Sequence, residues 1–246
     1  MVRVQGSTDD QSSVLDIWRE AAAIIRGYPV ATIVPAVVLG ALAEASYYFI
    51  DDSRPVLEKV LASVGAALAF YLYVAYAEEV ATEAERGANR ITAFGVLGRL
   101  HQATPVALPV VVASVPAVVV PTAATGLLIL PGLWLLTRWS LFAPVISREG
   151  LGPLAALKRS TKLVRGNFRL VFWTATLAFI LEAVTVHAGA FAGYLVTGSE
   201  TWGEWLGGTI ANSFIMPLAA LTTSVAYVRL ATRTKSKTKP SRPTSR

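Results

Sequence analysis

The chain contains no cysteine, which removes disulfides and thiolate metal sites and leaves the redox compartment unread. Histidine occurs only at His101 and His187, too sparsely to build an imidazole metal centre, so no metal is expected. Charge is scarce as well: 15% of the 246 residues are charged, against roughly 25% in a soluble domain. With a mean hydropathy of +0.52, that scarcity fits a protein that crosses a membrane several times better than one or two soluble domains. HExxH, GxSxG and GxxxxGK[ST] are all missing, so zinc-peptidase, serine-hydrolase and P-loop chemistry lack their signatures. Serine, histidine and acidic residues converge in no catalytic order. The expectation is a protein that is not an enzyme and holds no cofactor. The opening MVRVQGSTDDQSSV lacks the apolar core of a signal peptide, and residues 1–12 read as a mobile lead.

What is present is a series of apolar stretches, each near the roughly 20 residues that a span needs. They fall at 28–50, 60–76, twice within 103–146, at 168–196 and at 206–230. Residues 103–146 hold 44 positions and one charge, Arg138, too long for one span. The turn between two spans is placed near 121–126, PTAATG, with the alternative at 130–132, LPG. Pro105, Pro109, Pro116 and Pro121 make the third span irregular, which neighbouring helices can accommodate. Pro217 should kink the sixth. The second span should continue as a helix past Glu78 and Glu79.

Three short stretches alternate at helical period and are too charged to span: 13–27, 91–102 and 152–166. In the first, Val14, Leu15, Trp18, Ala22 and Ile25 share a face, and Ser13 with Asp16 has the spacing of a capping box. The fold class is therefore all-α: an integral membrane protein with six transmembrane helices and three amphipathic interfacial helices on the cytoplasmic side, over 13–231. Residues 232–246, TRTKSKTKPSRPTSR, offer nothing to bury and read as a disordered basic tail.

Orientation follows from lysine and arginine. With the N-terminus inside, all of the 22 basic residues except Arg54 and Lys59 fall on cytoplasmic segments or span ends. Both termini are then cytoplasmic, in a cell membrane. A weak threefold repeat, 13–86, 91–149 and 152–231, accompanies this layout. Residues 18–30, WREAAAIIRGYPV, echo 157–169, LKRSTKLVRGNFR, with Arg26-Gly27 matching Arg165-Gly166. Internal symmetry is common in transporters, and duplication of a stable hairpin explains it equally well.

Residues 130–169 combine an apolar span with PG near its start, a tryptophan/arginine middle, a proline before a charged exit, and then ALKRSTKLVRGN. This pattern, most clearly Ala155, Leu157, Ser160, Leu163 and Gly166, resembles the membrane domain of glycerophosphoryl diester phosphodiesterase-type proteins and related six-helix prokaryotic membrane proteins. In that group the phosphodiesterase activity belongs to a separate soluble barrel, so the resemblance implies a membrane layout and carries over no catalytic residue.

The polar residues inside the spans are the site candidates. Arg138 costs about 2.5–3.5 kcal/mol near a span centre and needs a partner, water or the interface. Glu182 is one candidate partner, and Glu78 or Glu79 the other. Glu182 and His187 are five apart, a poor spacing for one face. Glu44 sits near the outer end of the first span. Lys158, Arg159, Lys162 and Arg165 either hold their loop on the cytoplasmic side or bind anionic lipid. GxxxG spacings at Gly189/Gly193 and Gly203/Gly207 read first as packing within the chain and second as a dimer contact. The expected function is membrane organisation through lipid or a protein partner, with homo-oligomerisation open and no nucleic acid. The alternative is a small transporter using Arg138 with Glu182 or Glu78.

Overall fold

The computed structural model describes residues 13–48, 56–87 and 129–238, with isolated positions at 95, 109–110 and 112–113. The stretch 91–102, the third span and the turn placed at 121–126 lie outside the described residues. Those described form eight helices and no strand: α1 (Val14–Gly27), α2 (Pro29–Tyr48), α3 (Val56–Glu85), α4 (Ile129–Trp139), α5 (Phe142–Glu149), α6 (Pro153–Arg165), α7 (Phe168–Thr197) and α8 (Trp202–Thr238). Two of them, α7 and the Trp202–Arg233 part of α8, are long and apolar enough to cross a membrane. The pair α1 and α2 passes the same test together, bent by 97° where they meet. The chain thus has the helices of a membrane protein.

Prolines sit where a helix needs no amide. Pro29 and Pro153 open α2 and α6, at positions whose N–H would have no intrahelical partner. Pro35, inside α2, is different, because its missing N–H frees the carbonyl of Ala31. Tyr76 of α3 donates its hydroxyl to that Ala31 oxygen at 2.6 Å, and Tyr73 donates to the next carbonyl, Thr32, at 2.7 Å. Two buried tyrosines thereby satisfy the backbone that one proline disrupts. α3 is enclosed by α2, α5 and α8, and Tyr73 through Glu78 are buried in succession.

The capping box of α1 forms as its spacing requires. Asp16 N–H donates to Ser13 Oγ at 3.2 Å, and Ser13 N–H donates to Asp16 Oδ2 at 3.1 Å. The Ser13 hydroxyl and amide hold the Asp16 carboxyl below the usual carboxylate range. The buried face of α1, however, is Ile17, Ala21 and Ile24, not the face containing Leu15, Trp18, Ala22 and Ile25. The helix is turned by its partner: Glu20 reaches Arg229 of α8 at 2.6 Å, which brings the flanking 17/21/24 stripe against the bundle and leaves Leu15 exposed.

Residues 130–146 do not form one straight span. Leu130, Pro131 and Gly132 lie in the first turn of α4, so no hairpin turn occurs there. The helix instead stops at Trp139 and restarts at Phe142. Pro144 is the cause: it has no N–H for the Ser140 carbonyl, and its ring crowds that oxygen. Ser160 of α6 repairs the break. Its hydroxyl donates to Arg138 O at 2.7 Å and accepts from Leu141 N–H at 3.2 Å. At the far end of the chain, α8 runs through Pro217 and on to Thr238, so residues 232–238 are helical rather than disordered.

The two matching Arg-Gly steps occupy equivalent places. Gly27 ends α1 just before α2, and Gly166 ends α6 just before α7. The GxxxG pairs of α7 and α8 face each other. A Cβ on Gly193 would collide with Gly203 O, one on Gly207 with Gly189 O, and one on Gly189 with the Ala211 side chain. Only bare glycine backbone admits this approach, and the packing within the chain is realised.

Candidate functional site

Two groups of polar side chains stand out, one at an end of the bundle and one within the apolar helices. The first is centred on Arg148 of α5. Its Nε donates to Glu78 Oε2 at 3.0 Å, its two Nη groups clasp Glu85 at 3.0 Å each, and Nη2 reaches Ser224 Oγ at 3.2 Å. Ser224 donates in turn to Glu78 Oε2 at 2.9 Å. Tyr227 of α8 places its ring beneath the guanidinium and donates its hydroxyl to Glu149 Oε1 at 2.9 Å. Arg159 of α6 clamps both oxygens of Glu149 at 3.0 and 2.9 Å. Four helices, α3, α5, α6 and α8, are tied by one chain of charge-assisted bonds.

Burial sets the chemistry here. The Glu78 side chain is 1% exposed and that of Arg148 is 18% exposed. Burial pushes the Glu78 carboxyl above its ordinary range, while Arg148 and Ser224 pull the other way. For Arg148, burial disfavours the cation, but the charges of Glu78 and Glu85 more than reverse this and hold it protonated. Glu78 Oε1 is buried without a hydrogen-bond partner. Both arginines of the group are turned onto acids, Arg148 onto Glu78 and Glu85 and Arg159 onto Glu149.

This corrects the partner expected for Glu78. Arg148 takes it, not Arg138. Because the helix breaks at Ser140–Leu141, Arg138 lies in the last turn of α4 and not mid-span. Its guanidinium lies over the ring of Trp134, one turn back, at 4.1 Å from the centroid. Among the described residues it forms no ion pair with Glu182, Glu78 or Glu79. Glu79 is half-buried beside Glu78 and likewise forms no ion pair among the described residues.

The second group ties α2 to α8. Asn212 Nδ2 donates to Glu44 Oε1 at 3.1 Å. His187 Nδ1 lies 2.7 Å from Ala183 O, one turn back on its own helix.

The basic residues of α6 divide. Arg159 is taken by Glu149, whereas Lys158, Lys162 and Arg165 are exposed and form no ion pair among the described residues. Their spacing of four and three puts them on one face. Behind them Ala156, Leu157, Ser160, Leu163 and Val164 are buried against the bundle, so the cations project from a fixed helix.

Sequence reasoning missed Arg148 as a hub, and with it Glu85, Ser224, Tyr227 and Asn212. One signal was there: Glu78 and Arg148 each follow an apolar stretch by one or two residues, which places them at the same level if both stretches leave the membrane on one side. Ser224, Tyr227 and Asn212 carried no such mark, being small or aromatic polar residues in an apolar helix. Comparison with family models, with curated proteins and with solved structures returns no match for this chain.

Proposed function

We propose that the chain is a non-catalytic integral protein of a prokaryotic cell membrane, with six spans and both termini in the cytoplasm. It organises the membrane by holding anionic lipid or a partner on the outer face of α6. The observation that carries this reading is the division among the cations. Arg148, Arg159 and Arg229 are bound to acids, and Arg138 rests on an indole. Lys158, Lys162 and Arg165 are left projecting together from a helix whose other face is locked into the bundle. Exposed cations on a rigid, membrane-adjacent helix match an anionic headgroup layer.

Lys158→Gln/Lys162→Gln/Arg165→Gln tests the lipid contact. Each cation is worth about 1 kcal/mol near an anionic leaflet, so retention of phosphatidylglycerol, followed by native mass spectrometry of the detergent-extracted protein, should fall about a hundredfold. Phosphatidylethanolamine retention should not change. Equal phosphatidylglycerol retention by the variant and the wild type would remove α6 as the lipid site. The topology is tested separately by reporter fusions at Ser53 and Ser199. Both should read as extracytoplasmic, and a cytoplasmic signal at either overturns the six-span arrangement.

A further inference from the structure

We propose that α1 is a second lipid-binding surface. It lies along the cytoplasmic leaflet, holds anionic phospholipid headgroups with Arg19 and Arg26, and sets Leu15 into the bilayer. The inference extends to another helix the reading made for α6, and the two are tested apart.

The two helices share a register. The shift that matches Arg26-Gly27 with Arg165-Gly166 also matches Leu15 with Leu154 and Arg19 with Lys158. At 3.6 residues per turn, Leu15, Arg19 and Arg26 fall within about 40° of one another around the helix, as do Leu154, Lys158 and Arg165. All six side chains are exposed, the two leucines at 60% and 72%. The opposite faces correspond too. Ile17, Ala21 and Ile24 are buried in α1, and Ala156, Ser160 and Leu163 are buried at the same register in α6. Each helix is also fixed to the bundle by an ion pair at one equivalent position, with the signs reversed. Glu20 reaches Arg229 of α8 at 2.6 Å, and Arg159 reaches Glu149 of α5 at 2.9 Å. α2 and α7 then begin two residues beyond the matching glycines.

A fixed inner face gives the outer face its direction. α1 meets α2 at a bend of 97°. With α2 as the first span, α1 lies close to the plane of the membrane surface. An exposed leucine on the same face as two arginines suits that plane. The apolar chain enters the acyl boundary, and the guanidinium groups stay among the phosphates. Arg26 forms no ion pair among the described residues. Arg19 is paired with Asp16 at 3.3 Å, but its side chain is 75% exposed, and so exposed a pair contributes little and does not shut out a phosphate. Asp16 is itself already held by the Ser13 amide and hydroxyl.

The chemistry of the face selects the partner. Arginine forms charge-assisted bonds to phosphate oxygens. An anionic phospholipid layer supplies those oxygens and also the apolar medium for Leu15. A nucleic acid supplies only the first.

The chain has no cysteine, so a single introduced thiol carries the only label. Spin labels at Leu15→Cys and Leu154→Cys are read in the full chain, reconstituted into phosphatidylcholine vesicles with and without phosphatidylglycerol. Collision with oxygen, which concentrates in lipid, is compared with collision with a water-soluble nickel chelate. With phosphatidylglycerol present, both positions should favour oxygen. Without it, position 15 should shift toward the chelate. Arg19→Gln/Arg26→Gln should produce the same shift at position 15 and leave position 154 unchanged, whereas Arg19→Lys/Arg26→Lys should keep position 15 in lipid. The lipid comparison needs no arginine variant, so it decides the matter even if the glutamine variant does not fold. A label at 15 that favours the chelate in phosphatidylglycerol vesicles, while 154 favours oxygen, overturns the inference and leaves the α6 reading standing. Preference for the chelate at both positions overturns both. Equal immersion of position 15 with and without phosphatidylglycerol removes the arginines' role and with it the proposal.

Discussion

Arg148→Ala is expected to destabilise the protein by about 3–5 kcal/mol, because it strands Glu78 as a buried charge without a counter-ion. Glu85, Ser224 and Tyr227 lose a contact in the same step. The loss should depend on pH in a definite direction. With Arg148 removed, burial and the Glu85 charge outweigh the Ser224 hydrogen bond, and the folded pKa of Glu78 lies above the unfolded value. The folded state then holds the proton more tightly, so the variant is most stable below the unfolded pKa and weakens as pH rises through the folded one. Thermal melts of the detergent-solubilised variant should therefore improve on acidification relative to wild type. Glu78→Leu/Arg148→Met should recover much of the loss, since two apolar side chains leave no charge to desolvate. A single variant that melts with wild type at neutral pH would show that the network does not hold the bundle together.

Gly193→Leu is expected to separate α7 from α8. Its Cβ would strike Gly203 O and approach Gly207 Cα to 3.0 Å, and backbone atoms cannot rotate aside. Ordinary overpacking costs about 1–3 kcal/mol, and a clash with backbone should exceed that. The readout is a collapsed monodisperse peak in gel filtration, or a large fall in melting temperature. Gly65→Ala is the matched control: an added Cβ there meets nothing within 4 Å among the described residues, and alanine favours the helix by about 1 kcal/mol. If Gly193→Leu elutes and melts as wild type, the two helices do not meet at their glycines.

These two sites differ in how far the sequence revealed them. The glycines were legible because close approach requires bare backbone and the four-residue spacing puts the glycines of each helix on one face. The capping box at Ser13 and Asp16 was legible for a similar reason, since its partners are three residues apart. So were the corners at Gly27 and Gly166. The Arg148 network was not, because Arg148 lies 63 to 76 residues from Glu85, Glu78 and Ser224, and nothing local selects Glu78 for Arg148 over Arg138. The face of α1 was misassigned for the same reason: Glu20 is held by Arg229, 209 residues away. The break after Trp139 had a local signal in Pro144, whose effect falls four residues upstream at Ser140. Residues 232–238 carry no apolar pattern, yet a helix already nucleated extends at little cost, and Thr232 bonds back to Val228 O at 3.0 Å.

Ser160 has a consequence for the order in which the chain is made. The Arg138 carbonyl and the Leu141 amide are exposed by the break, and the hydroxyl that satisfies them is encoded 22 and 19 residues later. Until α6 has left the ribosome, the kinked pair α4–α5 carries two backbone groups with no Ser160 to bond. The emergence of α6 is therefore the step at which that segment can first settle, and a pause in translation before Ser160 would hold it open.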